Sequence, residues 1–443
     1  MSAEASPQFH APAGTIIGWA EGAVLRASGI RYARAARFQY PVAEPAAAAP
    51  IYATTPAPAC PQAADLQLAQ AFGDFHTGAT FDEDCLRLSI TLPANRQPGE
   101  ALPVVVWVHG GSYVSGAGDL PLYDPATLVQ EQRVVFVAVT YRLGLLGFLG
   151  SEGGPPPNLG LLDLLEALRW VQRNIQAFAG NPDLVTLLGH SSGADAVAHL
   201  MVAEGAAGLF RRVILHSAPL GLARHRHAMT RAMVAAAGPF PATVTVEEVL
   251  AREKVVYKAV RRFGLKSGMP FGTQYGAYPL PAEAELDRAW AAVASKVDVL
   301  IGATAEETRF FAVINPTFRW VRRVPVVGEL LLRLLVGVTS GLIYRQPALA
   351  FARQHARAGG RAYHFLMQFQ PAGRTLGAAH TLDLPLLLGT RAGWEATPLL
   401  SQVKWAAINE AGRPVRQLWM DFARTGVLPA PIELPGVLRL KQL

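Results

Sequence analysis

A serine stands at the centre of segment 189–193, whose sequence is Gly-His-Ser-Ser-Gly. The apolar run before it is typical of a strand, and the residues after it are typical of a helix. Glycines two positions before and two after Ser191 permit the tight turn that exposes a hydroxyl at the start of a helix. The backbone N–H of Ser192 would then point at the oxygen of a carbonyl under attack. The pattern predicts Ser191 as a nucleophile for acyl transfer.

A second glycine-rich segment, 109–113, reads His-Gly-Gly-Ser-Tyr and also follows an apolar run. A Gly-Gly turn directly after a core strand brings backbone N–H groups close to a ligand, as an oxyanion hole requires. The segment precedes the serine, which is the order found in folds with this kind of serine turn. The alternative interpretation is an ordinary glycine-rich turn.

A serine nucleophile needs a general base, and in this order of elements the histidine follows the acid. Three histidines are far enough along the chain: His355, His364 and His380. His355 lies in a helix-like stretch and His364 in a strand-like run, so structural roles are expected for both. His380 lies in a loop after that strand, where catalytic side chains are usually displayed. We therefore predict His380 as the base.

The acid that orients the base should end an earlier strand. The apolar run 297–302 leads into two adjacent carboxylates, Glu306 and Glu307. Sequence pattern alone does not choose between them, and the alternative for either is a solvated loop carboxylate.

These segments must be positioned by a sheet, and the pattern predicts one. Short Val/Ile/Leu runs that read as buried strands are 102–109, 134–141, 184–189, 212–216 and 297–302. A helix with Leu161, Leu165 and Leu168 on one face lies between two of them, with Asn158 as a candidate N-cap. Strands alternating with helices predict a mostly parallel central sheet covered by helices on both faces. We expect segment 220–290 to be a helical excursion over the active site and residues 1–60 to be irregular.

Composition excludes several classes. Hydrophobic residues make up 51% of the 443 residues and charged residues 16%, which indicates a large buried core. The net charge of +7 comes from scattered Lys and Arg rather than a basic motif, so no nucleic-acid partner is expected. The N-terminus lacks a signal-peptide pattern, which predicts a cytoplasmic protein. Cys60 and Cys85 are too few for a disulfide scaffold or a structural zinc site.

The nearest candidate for a spanning helix, 324–343, contains Glu329 and Arg333, so no spanning helix is predicted. Arg319, Arg322 and Arg323 precede a dense Val/Leu run here, a composition typical of a membrane-surface helix or of a lid over an apolar pocket. We favour packing on the core or pocket wall over membrane contact, because Glu329 opposes anionic lipid.

The chain resembles the type-B carboxylesterase family, which includes para-nitrobenzyl esterases and cholinesterases. The similar segments cover nearly the whole chain: 29–33, 60–62, 83–86, 141–144, 147–149, 158–163, 181–186 and 419–426. The resemblance implies a single α/β-hydrolase fold domain over residues 1–443 and carboxylic ester hydrolysis without metal or cofactor. It also implies a small-molecule ester substrate.

The resemblance also assigns roles to residues. It places the triad acid on Glu307 rather than Glu306, supports His380 as the base, and places the oxyanion donors on Gly111, Ser112 and Ser192. It further implies that Cys60 and Cys85 lie close enough to bridge, and that Glu83 forms a structural salt bridge with Arg142.

This sequence departs from the family at several positions. His190 stands where the family usually has Glu, Ser192 and Ser112 replace Ala and Gly, and Thr308 replaces the Gly after the acid. The segment 60–85 contains no Trp, so a preference for choline esters is not expected. Two alternatives are a catalytically silent binding protein and the same site used on lipids, lactones, carbamates or amides.

Overall fold

A twisted mixed sheet of 11 strands runs through the centre of the computed structural model. The structure describes residues 6–64, 66–74, 78–97, 99–239, 243–314, 327–371, 376–395, 397–400 and 403–443. The strands of this sheet are β1 (Trp19–Glu21), β2 (Val24–Arg31), β3 (Arg87–Pro93), β4 (Leu102–Val108), β5 (Val135–Val139), β6 (Gly180–His190), β7 (Arg212–His216), β8 (Asp298–Thr304), β9 (Ala362–Met367), β10 (Ile432–Leu434) and β11 (Leu438–Gln442).

The strand order is β10-β11-β9-β8-β7-β6-β4-β5-β3-β2-β1. The strands from β9 to β5 in this order pair in parallel, and the strands at both edges are antiparallel. The strand order, the parallel central pairing and the apolar central strands agree with the predicted α/β-hydrolase fold. All five predicted strands are present, and β7 has the predicted bounds.

Helices cover both faces of the sheet. They are α1 (Leu66–Phe72), α2 (Ala126–Gln132), α3 (Gly144–Gly147), α4 (Leu159–Asn174), α5 (Ser192–Leu200), α6 (His227–Ala237), α7 (Val246–Val260), α8 (Leu286–Val293), α9 (Arg309–Ile314), α10 (Val327–Ser340), α11 (Gln346–Arg357), α12 (Leu384–Leu387), α13 (Arg391–Glu395) and α14 (Trp405–Thr425). The predicted helical excursion over the sheet is confirmed by α6, α7 and α8.

Alternate residues of β4 show how the two faces are filled. Val104 and Val106 belong to the same hydrophobic cluster as Leu165 of α4. Trp107 belongs to a second cluster with Trp419 of α14. Because successive side chains of a strand point to opposite faces, an uninterrupted apolar run supplies both cores at once.

Two expectations about local structure are wrong. Residues 1–60 contain strands beyond β1 and β2, including Gln8–Ala11 and Gly14–Ile17, which form a separate three-stranded sheet with Ile51–Tyr52. Local patterning does not reveal this pairing, because it joins segments that are apart in the chain. Asn158 occupies the predicted N-cap position of α4, but the expected side-chain cap is wrong, because the residue adopts φ 62° and makes no capping hydrogen bond. Its amide instead binds the backbone of the excursion, donating to Gln274 O at 2.9 Å and accepting from Gln274 N at 2.7 Å.

The expectation of a salt bridge between Glu83 and Arg142 is also wrong. Arg142 is buried and donates to both carboxylate oxygens of Asp163 on α4, at 2.8 Å and 2.6 Å. Glu83 instead accepts from Arg37 Nε at 2.8 Å. Asp163 lies inside the apolar face of α4, where a carboxylate needs a paired cation. Arg142 is the cation that reaches it.

The two cysteines of the expected pair both lie in the core. Cys60 and Cys85 are both buried and free. A hydrogen bond to Cys60, together with burial, raises the pKa of the Cys85 thiol well above its ordinary value. The two side chains therefore influence each other, and a spacing that would allow a disulfide stays a prediction.

Helix α10 is apolar on two sides. Its inner side chains Leu332 and Val336 are buried, whereas an outer stripe is between 41% and 59% exposed: Leu330, Leu331, Leu334, Leu335 and Val338. By length and composition alone, the helical segment Val327–Arg357 could cross a membrane. The expected packing against the pocket wall is confirmed for the inner face of α10. The expected lack of membrane contact stays a prediction. Arg319, Arg322 and Arg323 lie outside the described residues.

The buried Arg142–Asp163 pair generates the first testable prediction. Asp163→Asn should lower the free energy of unfolding by about 3–5 kcal/mol, because it leaves the Arg142 guanidinium uncompensated inside the protein. Glu83→Gln breaks a partly exposed ion pair and should cost about 1 kcal/mol or less. Urea unfolding of both variants measures the difference, and equal losses would contradict the assignment.

Candidate active site

The turn that carries Ser191 lies between β6 and α5, as predicted. Ser191 has φ 55° and ψ −127°, a backbone conformation that costs energy and is typical of strained functional turns. A Cβ atom on Gly193 would collide with the backbone carbonyls of Val108, the last residue of β4, and of His109, which follows it. The backbone N–H of Ser191 donates to His216 O at 2.8 Å, which ties the turn to β7. The glycine at 193 is therefore required by close packing of α5 on the sheet.

Ser191, His380 and Glu307 come together in hydrogen-bond contact. His380 Nε2 lies 3.0 Å from Ser191 Oγ, and His380 Nδ1 lies 2.5 Å from Glu307 Oε2. Glu307 is fully buried, and its other oxygen accepts from Thr304 N at 2.6 Å. The carboxylate is thereby fixed in orientation, so that it holds the proton of His380 on Nδ1 and leaves Nε2 facing the serine.

Glu306 has a different environment. Its side chain is 29% exposed, pairs with Arg309 and accepts from Ala378 N at 3.3 Å. Its backbone N–H donates to Ala378 O at 2.8 Å. Glu306 therefore braces the loop that carries His380 and makes no contact with the imidazole.

The glycine-rich segment after β4 forms a concave backbone turn. Gly111, Ser112 and Tyr113 all have positive φ, at 118°, 54° and 63°. Successive residues of this kind turn their N–H groups to one side, which makes an anion-binding concavity. Ser192 is the first residue of α5, so its N–H has no partner within the helix. These are the groups predicted as oxyanion donors.

Two of the family departures support this turn and the acid loop. The hydroxyl of Ser192, in place of the usual Ala, accepts from Tyr113 N at 3.2 Å. Thr308, in place of Gly, contacts Thr339 Oγ1 at 2.6 Å and Ser340 Oγ at 3.0 Å. The Ser192 hydroxyl thus links the start of α5 to the glycine-rich segment after β4, and the Thr308 hydroxyl links the acid loop to α10.

Two cavities meet at Ser191. The smaller, about 70 Å³, is lined by aromatic side chains and by polar groups of the site: Phe72, Tyr123, Phe310, Phe311, Trp394, His190 and His380. The larger, about 520 Å³, is lined mostly by apolar side chains that include Leu222, Met269, Leu335, Val336 and Ile343. An acyl compound attacked by Ser191 could place one substituent in each cavity.

The sequence of the whole chain can also be compared with known proteins. The carboxylesterase family model matches residues 5–319. The chain belongs to the carboxylesterase family. A probable N-octanoylanthranilate hydrolase of Rhodococcus erythropolis is 35% identical to this chain. The match covers 95% of this chain and 93% of the length of that hydrolase. The phenmedipham hydrolase of Pseudarthrobacter oxydans is 28% identical over 79% of this chain and 76% of its own.

A solved structure gives the same answer for the fold. A thermophilic para-nitrobenzyl (PNB) esterase superposes with a TM-score of 0.82 at 26% identity, over 99% of this chain and 98% of that chain. The family and these relatives establish this carboxylesterase as an ester hydrolase, and a small-molecule ester is the substrate class that follows.

Sequence reasoning missed several residues around the imidazole of His380. Phe311 and Tyr344 lie tilted against it, with ring centroids 5.6 Å and 5.4 Å away. Asp383, His216 and Trp419 form a buried chain beneath His190. No local pattern in the sequence marks Asp383, His216 and Trp419 as neighbours, because they come from three separate elements that meet only in the folded protein.

The contrasting environments of Glu306 and Glu307 give the second prediction. Glu307→Gln should lower kcat by roughly 10³–10⁴-fold, because an amide no longer fixes the His380 tautomer or stabilises its imidazolium. Glu306→Gln should lower kcat by about tenfold or less. Steady-state hydrolysis of p-nitrophenyl butyrate compares the two, and equal or reversed losses would overturn the order.

Proposed function

We propose that this carboxylesterase acts through an acyl-enzyme on Ser191, with His380 as general base and acid and Glu307 as the orienting carboxylate. The observation that carries the proposal is the continuous contact from Glu307 through His380 to the Ser191 hydroxyl. The alternative of a silent binding protein is disfavoured, because such proteins lack a member of this set and here all three positions are filled.

In the first half-reaction, His380 Nε2 takes the Ser191 proton while Oγ attacks the carbonyl carbon. The tetrahedral oxyanion forms against the N–H groups of Gly111, Ser112 and Ser192, next to the buried side chains of Ser191 and His380. His380 then gives its proton to the alcohol, which leaves as the carbonyl re-forms. In the second half-reaction water takes the place of the alcohol and releases the acid.

Replacing the nucleophile tests the proposal directly. Ser191→Ala should lower kcat by at least about 10³-fold while leaving the thermal unfolding midpoint nearly unchanged, because nucleophile and base act as a unit. An organophosphate should label Ser191 stoichiometrically in the unmodified protein. Labelling at another residue, or residual activity near that of the unmodified protein, would count against this mechanism.

A medium-chain acyl group joined to an aromatic leaving group is the substrate shape that we propose. The larger apolar cavity suits an alkyl chain, and the smaller aromatic cavity suits a flat ring. The name of the Rhodococcus relative describes such a compound, an octanoyl chain on an aromatic amine. Amide cleavage is therefore the second candidate activity, tested by octanoyl anilides beside octanoyl esters.

The larger cavity as the acyl site generates the fourth prediction. Each buried CH₂ contributes about 0.8 kcal/mol, so kcat/KM should rise about fourfold per added methylene from acetate until the cavity is full. Ile343→Trp should abolish the gain for octanoate but not the activity on acetate. Its neighbour Leu342 is 51% exposed and does not line the cavity, so Leu342→Trp is the matched control. If both variants lose octanoate activity equally, the acyl chain binds elsewhere.

A further inference from the structure

A second buried carboxylate, Asp383, lies three residues after His380 and takes no part in the steps above. Its side chain is 1% exposed, and Oδ2 accepts from His216 Nδ1 at 2.6 Å. Oδ1 lies 3.6 Å from His190 Nε2. His190 directly precedes the nucleophile and lines the smaller cavity.

The hydrogen bonds fix the charge of His216. Trp419 Nε1 lies 2.5 Å from His216 Nε2, and an indole N–H can only donate. His216 Nε2 must therefore accept, so its single proton is on Nδ1 and points at Asp383. A histidine in this state is neutral, and it orients the carboxylate without compensating its negative charge.

The negative charge of Asp383 is thus directed toward His190. Burial alone would raise the pKa of Asp383, but its contacts with His190 and His216 hold that pKa well below its ordinary value. Burial lowers the pKa of His190. The Asp383 carboxylate opposes this lowering, whereas a positive charge on His380 adds to it. The described groups around the His190 ring are Asp383 and His216, His380 beside it, and Glu307 beyond His380.

His190 and His380 are in ring contact, with centroids 4.8 Å apart. Two imidazolium ions at this separation would repel each other strongly in a buried site. When His380 becomes an imidazolium during attack, a neutral His190 with an anion behind it stabilises that charge. A dipole and a fixed anion already in place need no reorganisation at that moment.

We propose that Asp383, oriented by His216 and Trp419, is a positioning residue that acts through His190 to stabilise the imidazolium of His380. The reaction centre then has two carboxylate–imidazole units, Glu307–His380 and Asp383–His190, of which only the first exchanges a proton with the substrate. This inference rests on the proposed triad mechanism.

The test is the pH dependence of kcat/KM for p-nitrophenyl butyrate in the full-length protein. The Asp383→Asn variant loses the anion that favours protonated His380. The acidic limb of the pH profile of kcat/KM should therefore move to lower pH by about one unit. The same change should lower kcat at pH 8 about tenfold, because the transition-state imidazolium loses stabilisation. His190→Gln retains an N–H donor for Asp383 and should keep the limb within about 0.3 unit of the unmodified protein.

Asp298→Asn is the matched control, since this carboxylate pairs with Arg212 and Arg361 at the opposite end of β8 from the loop that carries Glu307. It should leave the acidic limb in place. A fall in kcat for Asp383→Asn without a shift of the limb, a shift to higher pH, or an equal shift in Asp298→Asn would each overturn the proposal.

A measurement on the unmodified protein does not depend on the variants folding. In ¹⁵N-histidine NMR spectra, His216 should keep an unprotonated Nε2 and a protonated Nδ1 from pH 6 to 9. An imidazolium at His216 in that range would neutralise Asp383 and overturn the inference. Failure of the triad mechanism itself would appear separately, as organophosphate labelling away from Ser191 or as full activity of Ser191→Ala.

Discussion

The hydrogen bond between Glu307 and His380 is the contact on which the site geometry depends. The carboxylate is fully buried, and a second bond from Thr304 N fixes its orientation. A buried anion is stable only where its partners are already in place. The acid loop after β8 and the histidine loop after β9 must therefore meet above adjacent parallel strands. Two backbone bonds, from Glu306 N to Ala378 O and from His380 N to Glu307 O, hold the two loops together.

Buried carboxylates with polar partners recur through the molecule and link its elements. Arg142 and Asp163 join the segment after β5 to α4, and Asp383 joins the histidine loop to β7 and α14. Each pair binds segments that are distant in the chain. Removing Asp163 leaves the Arg142 charge uncompensated, and removing Asp383 leaves the buried His216 N–H without its acceptor, so these contacts specify which segments meet as well as how strongly.

The two cavities are built largely from elements other than those that carry the proposed triad. The proposed catalytic groups come from strand ends and tight turns, whereas the cavity walls include α1, α9, α10 and the segments near residues 219 and 265. Helix α10 contributes to the wall of the larger cavity and, through Thr339 and Ser340, contacts Thr308 beside the acid. Changes in this wall would alter substrate preference without moving the triad.

The sequence by itself determined the strands, the serine turn and the histidine loop, because those features depend on local periodicity and on glycines at fixed spacing. The choice of Glu307 over Glu306 came from family resemblance, and the structure shows the physical difference, since only Glu307 is buried against the imidazole. Only the tertiary structure decided the partner of Arg142, the role of Asn158 and the chain from Trp419 to His190. Those contacts join segments far apart in the chain, and no local pattern records which buried polar groups will meet when the sheet assembles.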